Sequence, residues 1–297
     1  MSSVLLVLGS SGQVAQDLAE IAGRFGFSKV VRLGRESGDL VVADADALLD
    51  THCPDAIINA AAHTAVDRAE SEPEAAHALN AALPERFAAA AAERSIPFVQ
   101  ISTDYVFDGS KTSPYLEDDP RSPLGVYGAS KAAGEDAVLA AGGKTAVMRT
   151  AWVYGPHGAN FLKTMLRLSE TRDELGVVND QVGCPTPSAD VAEGAIRIAR
   201  GLMDGSVTTG SVFHCAGAGE ASWADFATAI FEEQARRGRA APTVRRISSV
   251  EYPTPAARPA SSRLDCSKLE AAVGWRPQAW RSALTLVFED VRIGGPA

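Results

Sequence analysis

The first fifteen residues constrain the fold more than any other stretch. Val4-Leu-Leu-Val-Leu8 is continuously apolar, as in a strand buried on both faces, and it runs straight into Gly9-Ser-Ser-Gly12-Gln-Val-Ala15. From Val14 to Phe25 apolar residues then recur at helical spacing. In such a strand–turn–helix unit, glycine at 9 permits a tight turn and glycine at 12 lets backbone approach a pyrophosphate. Ala15 is small enough for close helix–sheet packing. The helix N-terminus adds free N–H groups and partial positive charge for the anion. The string alone also describes a plain βα turn. Its position between the first strand and the first helix is what points to a dinucleotide.

The same rhythm continues. Apolar strands are expected at Val30–Leu33, Leu40–Val42, Ala56–Ile58, Phe98–Ile101 and Ala146–Met148, with helical stretches over Val66–Arg94 and Tyr127–Ala140. Strand and helix in alternation predict an α/β fold, a Rossmann-like doubly wound parallel sheet. After about Gly155 the pattern changes. Helices are expected at Asn160–Glu170, Ala189–Leu202 and Trp223–Arg237, a strand at Val212–Cys215, and an extended Pro-rich connection from Tyr252 to Pro259. Residues 1–155 therefore read as a cofactor-binding domain. Residues 156–297 read as a smaller mixed α/β substrate-binding region, with some elements interleaved.

Charge and cysteine usage narrow the function classes. A net charge of −9 argues against nucleic acid, which needs a basic stripe; the basic doublets Arg236–Arg237 and Arg245–Arg246 are too short to make one. No apolar run approaches a membrane span, and Met1-Ser2-Ser3-Val4 lacks the cationic start of a signal peptide, so a cytoplasmic location is expected. Four scattered cysteines without a CxxC pair read as reduced thiols, and the five histidines show no metal spacing.

The end of the second strand bears on the cofactor. An acidic residue there commonly binds the ribose hydroxyls of NAD, but here Gly34 follows the strand and Arg35 comes next. Arg35 suits a 2′-phosphate and favours NADPH, while Glu36 leaves NADH open. Asp44 and Ala45, after the Leu40–Val42 run, are placed near the adenine; Asp44 serves equally as the cap of a helix beginning near Asp46.

Three further segments carry chemistry: Asn59-Ala-Ala-Ala-His63-Thr64, Ser102-Thr103-Asp104-Tyr105 and Tyr127-Gly-Ala-Ser-Lys131. Tyr127 and Lys131, four apart, share one helix face, where an ammonium favours phenolate and makes the phenol a usable acid–base. A Thr103 hydroxyl can hold a substrate carbonyl oxygen in line with that phenol. Alone, Tyr-x3-Lys describes many exposed helices; the glycine loop and the strand-ending threonine give it weight.

The order GxxGQV, NAAAHTAVDRAESEP, STDYVFDG, VYGASKAAGE, RTAWVYG, NFLKTMLRL, VVNDQVGCPT and YPTPAARPASSRLD resembles the dTDP-4-dehydrorhamnose reductase family of extended short-chain dehydrogenase/reductases, to about Leu269. The resemblance implies NADPH-dependent reduction of dTDP-4-dehydro-β-L-rhamnose, a dTDP-4-keto-6-deoxyhexose, to dTDP-L-rhamnose. It implies Tyr127 as proton donor, Lys131 as its electrostatic partner and ribose anchor, and Thr103 in place of the superfamily's commoner serine. Gly9, Gly12, Gln13 and Val14 would line the pyrophosphate; Ala62, His63 and Thr64 would wall the cofactor. Thr103, Asp104 and Trp152 would face the sugar, with the Trp152 indole stacking on it. Asn160 and Arg258 are weaker candidates, and Arg258 suits either a diphosphate or one of the chain's acids. His157, in a Gly-Pro-His-Gly loop, reads as a surface turn residue.

The resemblance also allows a homodimer. Some members dimerise around Mg²⁺ held by three carboxylates. Here Asp17 and Glu289 match two of them, while the third position is Ala189 with Asp190 beside it, so no metal is expected. Two other readings stay open: a reductase or epimerase acting on another nucleotide-keto-sugar, and a non-catalytic dinucleotide-binding relative that regulates a partner enzyme.

Overall fold

The computed structural model describes residues 3–290. Strand β1 (Val4–Leu8) leads through α1 (Gln13–Ile21), β2 (Lys29–Leu33) and α2 (Ala45–His52) to β3 (Ala56–Asn59). Short helices α3 (Val66–Ala69) and α4 (Pro73–His77) precede α5 (Leu83–Glu93), β4 (Phe98–Thr103), α6 (Val126–Ala140) and β5 (Thr145–Thr150). Then come β6 (Val153–Tyr154), α7 (Phe161–Ser169), β7 (Glu174–Val178), β8 (Val182–Gly183), β9 (Thr186–Pro187), α8 (Ser188–Asp204) and β10 (Ser211–His214). The remaining elements are β11 (Ala221–Ser222), α9 (Trp223–Arg236), β12 (Thr243–Ile247), α10 (Ser267–Val273) and α11 (Trp280–Asp290).

Six strands form one parallel sheet in the order β10-β5-β4-β3-β1-β2. Both faces are covered, which explains the unbroken apolar run of β1. Leu5 and Val7 pack against Leu18 of α1 and Val191, Ala195 and Ile198 of α8. Leu6 and Leu8 pack on the opposite side with Leu49 of α2 and Phe87 of α5. From β1 the chain crosses to β2 on one flank while β3 lies on the other. The strand order thus reverses at β1 and β3, and a crevice for ligands is expected beyond their C-terminal ends. A second core joins Leu162 and Leu166 of α7, Phe226 and Ile230 of α9, and Leu284 and Phe288 of α11. Helix α8 and strand β10, both from beyond Gly155, belong to the layers of the main sheet.

Leu40–Val42 is a turn, not a strand. The Asp39 side chain accepts the Val41 N–H at 2.9 Å, Arg86 holds the Leu40 carbonyl at 3.0 Å, and Val42 is 77% exposed. Three apolar residues next to an Asx turn have no partner strand to enter. The expected helix over 66–94 is broken into α3, α4 and α5, with a π turn at Ala78–Ala82. Pro84 has no N–H to give the Asn80 carbonyl one turn back, and its ring crowds that carbonyl, so the helix widens there. Strands β7 and β12, which pair with each other, carry too little alternation to be read from sequence. No helix of the described residues is long and apolar enough to cross a membrane.

Candidate active site

The glycine loop is shaped by its neighbours. Gly9 has φ +105°, donates its N–H to the Leu33 carbonyl at 2.7 Å, and lies so close to the loop after β3 that a Cβ would sit 3.1 Å from the Ala61 nitrogen. Only glycine suits both the torsion and the approach. Gly12 is the extended N-cap of α1, with no side chain capping the helix, and a Cβ there would meet nothing within 4 Å. Uncapped N–H groups therefore face open space, which fits the diphosphate of a dinucleotide. Val14 packs against the core, and Gln13 turns toward the second half of the chain. Its side chain donates to the Val153 carbonyl at 3.2 Å and accepts from Asn160 at 3.1 Å. Asn160 also caps α7 through the Lys163 N–H, so it joins the glycine loop to the second core.

At the end of β2, Arg32 donates to the Ser10 carbonyl at 3.2 Å. The Ser10 hydroxyl holds the Glu36 carboxyl below the usual range, with help from its own backbone and Arg32. Arg35 is exposed on the next 3-10 turn and, among the described residues, has no carboxylate partner. Asp44 caps α2 through the Ala47 N–H at 3.1 Å, with Ala45 buried in the first turn.

On the loop after β3, Ala62 and His63 are half-buried and Thr64 is exposed. Asn80, in the π turn, fixes this loop. Its side chain accepts the His63 N–H at 2.8 Å and donates to the His63 carbonyl at 3.2 Å and the Ser130 hydroxyl at 3.0 Å. The His63 ring meets Glu72 at 3.4 Å, and Arg68 holds the same carboxylate at 2.7 Å.

Thr103 ends β4, and Tyr127 and Lys131 lie on α6. Gly128 makes their approach possible, because a Cβ there would lie 2.2 Å from the Tyr105 carbonyl oxygen. Tyr127 sits edge-on to Tyr105, with ring centroids 5.5 Å apart, and its phenol is beside Thr103. The Thr103 hydroxyl donates to Asp104 at 2.9 Å. Burial pushes the Tyr127 phenol up to about 12; Thr103 lowers it and the Asp104 charge raises it. The expectation that Lys131 lowers the phenol is not met. The Lys131 ammonium is turned onto the Ile101 carbonyl at 2.6 Å, and burial brings it down to about 8 against the pull of Glu135. A neutral phenol is the state a proton donor needs. Asp104, 2% exposed, is pushed up to about 6 by burial, against the bonds from Ser262 and Thr103.

Trp152 adopts φ +48° and stacks face to face on Trp223, with centroids 3.5 Å apart and planes 5° apart. Trp223 is anchored by its indole N–H on Gln181 at 3.2 Å, so one face of Trp152 is already covered. The Arg258 guanidinium is paired with Asp67 at 2.9 Å, tying the Pro-rich loop to α3. Asn80, Trp223 and Ser262 were not singled out by the sequence reading; each is an ordinary residue type whose partners lie far away in the chain.

His157 is not a plain surface residue. Its ring lies 3.6 Å from Asp17 and 3.2 Å from Glu20, and the potential ligand atoms of these three lie within 4.8 Å of one another. Asp190 instead accepts the Gln278 N–H at 3.1 Å, and Glu289 is exposed. Asp17 is 4% exposed, and burial raises its carboxyl from 3.8 to about 6, with Ser188 and His157 opposing. A raised carboxyl costs stability wherever the folded protein must ionise it. Asp17→Asn is therefore expected to stabilise the fold by roughly 1–3 kcal/mol at pH 7.5. The gain fades as pH falls from about 6 toward 4, where folded and unfolded chains both carry the proton. Urea melts at pH 7.5 and 4.5 check this; an Asn variant less stable at pH 7.5 contradicts it.

Comparison with known proteins follows this geometry. A family model described as the RmlD substrate binding domain matches residues 3–293. A dTDP-4-dehydrorhamnose reductase of Sinorhizobium fredii is 45% identical over 282 residues, 94% of each chain. The crystal structure of a dTDP-4-dehydrorhamnose reductase from Clostridium acetobutylicum superposes with a TM-score of 0.88 at 35% identity, covering 96% of this chain and 98% of that one. A Bacillus anthracis dTDP-4-dehydrorhamnose reductase in complex with NADP gives 0.89 at 31% identity, covering 98% of this chain and all of the other.

Proposed function

The chain belongs to the RmlD substrate binding domain family, and from that membership we propose that it reduces dTDP-4-dehydro-β-L-rhamnose to dTDP-L-rhamnose with NADPH. This is the last step of dTDP-rhamnose synthesis. The observation that carries the reading is the Tyr127 phenol beside Thr103 at the carboxyl end of β4, with Lys131 one helical turn on and held to the same strand, in a sheet whose first strand leads into an uncapped helix N-terminus.

When bound, NADPH supplies the hydride for C4 of the sugar. The chain's residues do the rest. Tyr127 gives its phenolic proton to the C4 oxygen, which becomes the product hydroxyl, and Thr103 aligns that oxygen with the phenol. Lys131 leaves the Ile101 carbonyl for the cofactor ribose and stabilises the developing phenolate. Asp104 and Trp152 meet the sugar. Gly9, Gly12, Gln13 and Val14 hold the diphosphate, Ala62, His63 and Thr64 wall the nicotinamide end, Asp44 and Ala45 flank the adenine, and Arg35 takes the 2′-phosphate. Residues 1–155 carry the cofactor and 156–297 the sugar nucleotide, with α8 and β10 lent back to the sheet. Four free cysteines support a cytoplasmic location.

The test is incubation of the keto sugar with NADPH and with NADH, following the loss of reduced cofactor and identifying the product by NMR. Production of dTDP-L-rhamnose is expected, faster with NADPH. No cofactor consumption, or another product, overturns the reading. Activity is also expected to fall as pH rises through about 8, because the ammonium of Lys131 is present only below that point. A pH profile of kcat/KM measures this, and a rate unchanged from pH 7 to 9.5 contradicts it.

A further inference from the structure

Glu135 is a carboxylate with no place in the chemistry above, yet it is 1% exposed one helical turn after Lys131. It accepts the Ser102 hydroxyl at 2.6 Å, Arg149 at 2.7 and 2.9 Å, and Arg121 at 3.1 Å. Ser102 lies between Ile101, whose carbonyl receives the Lys131 ammonium, and Thr103, which stands beside the Tyr127 phenol. One buried carboxylate thus grips β4 between the two points where β4 meets the reacting side chains. A residue holding only the fold together would not need to lie at i+4 from the lysine and on the strand residue between its two contacts.

We propose that Glu135 is a positioning residue: through Ser102 it fixes the end of β4 that holds Lys131 and Thr103, and it sets a negative charge one helical turn from the Lys131 ammonium that binds the ribose. The proposal rests on the reductase reading for the roles of Thr103 and Lys131. Charges facing Glu135 come from every element around it. They are Lys131 on its own helix, Arg149 on β5 and Arg121 on the loop before α6, with Asp136 drawing off Arg121 at its other end. His214 of β10 lies 3.4 Å from Arg149, and burial pushes it down to about 3, so it stays neutral. Glu135, bonded to both arginines and one helical turn from Lys131, is the negative charge that pulls against burial at the Lys131 ammonium.

The experiment is NADPH affinity, read by cofactor fluorescence, between pH 7 and pH 10, above the titration of the 2′-phosphate. In the wild type, affinity weakens as Lys131 loses its proton. In Glu135→Gln the midpoint of that loss is expected about one pH unit lower, a tenfold easier deprotonation. The double variant E135Q/R149M, which removes both members of the buried Glu135–Arg149 pair, should show a displacement in the same direction if the single variant folds poorly. Ser102→Ala should weaken NADPH several-fold without moving the midpoint, because the charge remains. Equal midpoints in a folded Glu135 variant and the wild type overturn the proposal, as does a wild-type affinity flat across this range. The binding assay uses no sugar. A chain that shows the displacement but reduces no keto sugar overturns the reductase reading and leaves the proposal standing; normal turnover with equal midpoints does the reverse.

Discussion

Tyr127→Phe is expected to lower kcat for keto-sugar reduction by about a thousandfold, roughly 4 kcal/mol of barrier, while NADPH affinity stays within a factor of about three. The phenol is 9% exposed and its burial holds it up to about 12, so at neutral pH essentially every molecule carries the proton to be given. Phenylalanine keeps the ring, and with it the edge-on contact with Tyr105 at 5.5 Å, so the fold and the approach of α6 to β4 are preserved. What disappears is the phenolic proton donor that the structure sets beside the Thr103 hydroxyl. Single-turnover absorbance of NADPH separates the chemical step from binding. A variant that keeps near-wild-type rate removes Tyr127 from the mechanism.

Arg149→Met should be the most damaging change to stability. Arg149 is 3% exposed, bonds Glu135 through Nε and a terminal nitrogen, and donates to the Glu117 carbonyl at 3.0 Å. Its guanidinium also lies over the Phe107 ring at 5.1 Å. Methionine fills much of the volume but takes from the Glu135 carboxylate its closest cation, leaving Arg121 bonded to it and Lys131 one helical turn away. Breaking a buried pair from one side costs about 3–5 kcal/mol, and in a chain this long each kcal/mol lowers Tm by roughly 2–4 °C. Thermal and urea denaturation measure the loss. E135Q/R149M should recover most of it, because the cost comes from the stranded charge rather than from the missing bonds. A single variant as stable as the wild type shows that Arg121 and Lys131 balance Glu135 without Arg149.

These residues also mark how far the sequence could be read. Gly9 with Gly12, and Tyr127 with Lys131, were legible because their spacing along one turn or one helix already fixes their spatial relation. The parallel sheet was legible for a similar reason: a strand such as β1, buried on both faces, has no polar residues to disguise it. Leu40–Val42 misled because composition resembles a strand whether or not a neighbour is there to pair, and Asp39 diverts the backbone into a turn. His157 misled because its loop suggests exposure, and only the folded chain brings α1 beneath it. Asn80 reaches residues 17 and 50 positions away, Trp223 meets Trp152 across the second core, and Glu135 closes on Ser102 from a different element. No local pattern marks such partners, since each is chosen by the tertiary fold.

The turn at Leu40–Val42 has another consequence. Among the described residues no strand lies beyond it, so β2 ends the sheet and its outer side has no strand to pair its backbone donors and acceptors. Such a margin is a template on which a second chain can lay a strand, the first step toward self-association and fibrils. Here the exposed margin is five residues long and carries Lys29 and Arg32 on its surface. A copy of the same strand arriving there would have to set two cations against two cations. The loss of a strand at this flank is thus tolerable because the strand left outermost repels its own kind.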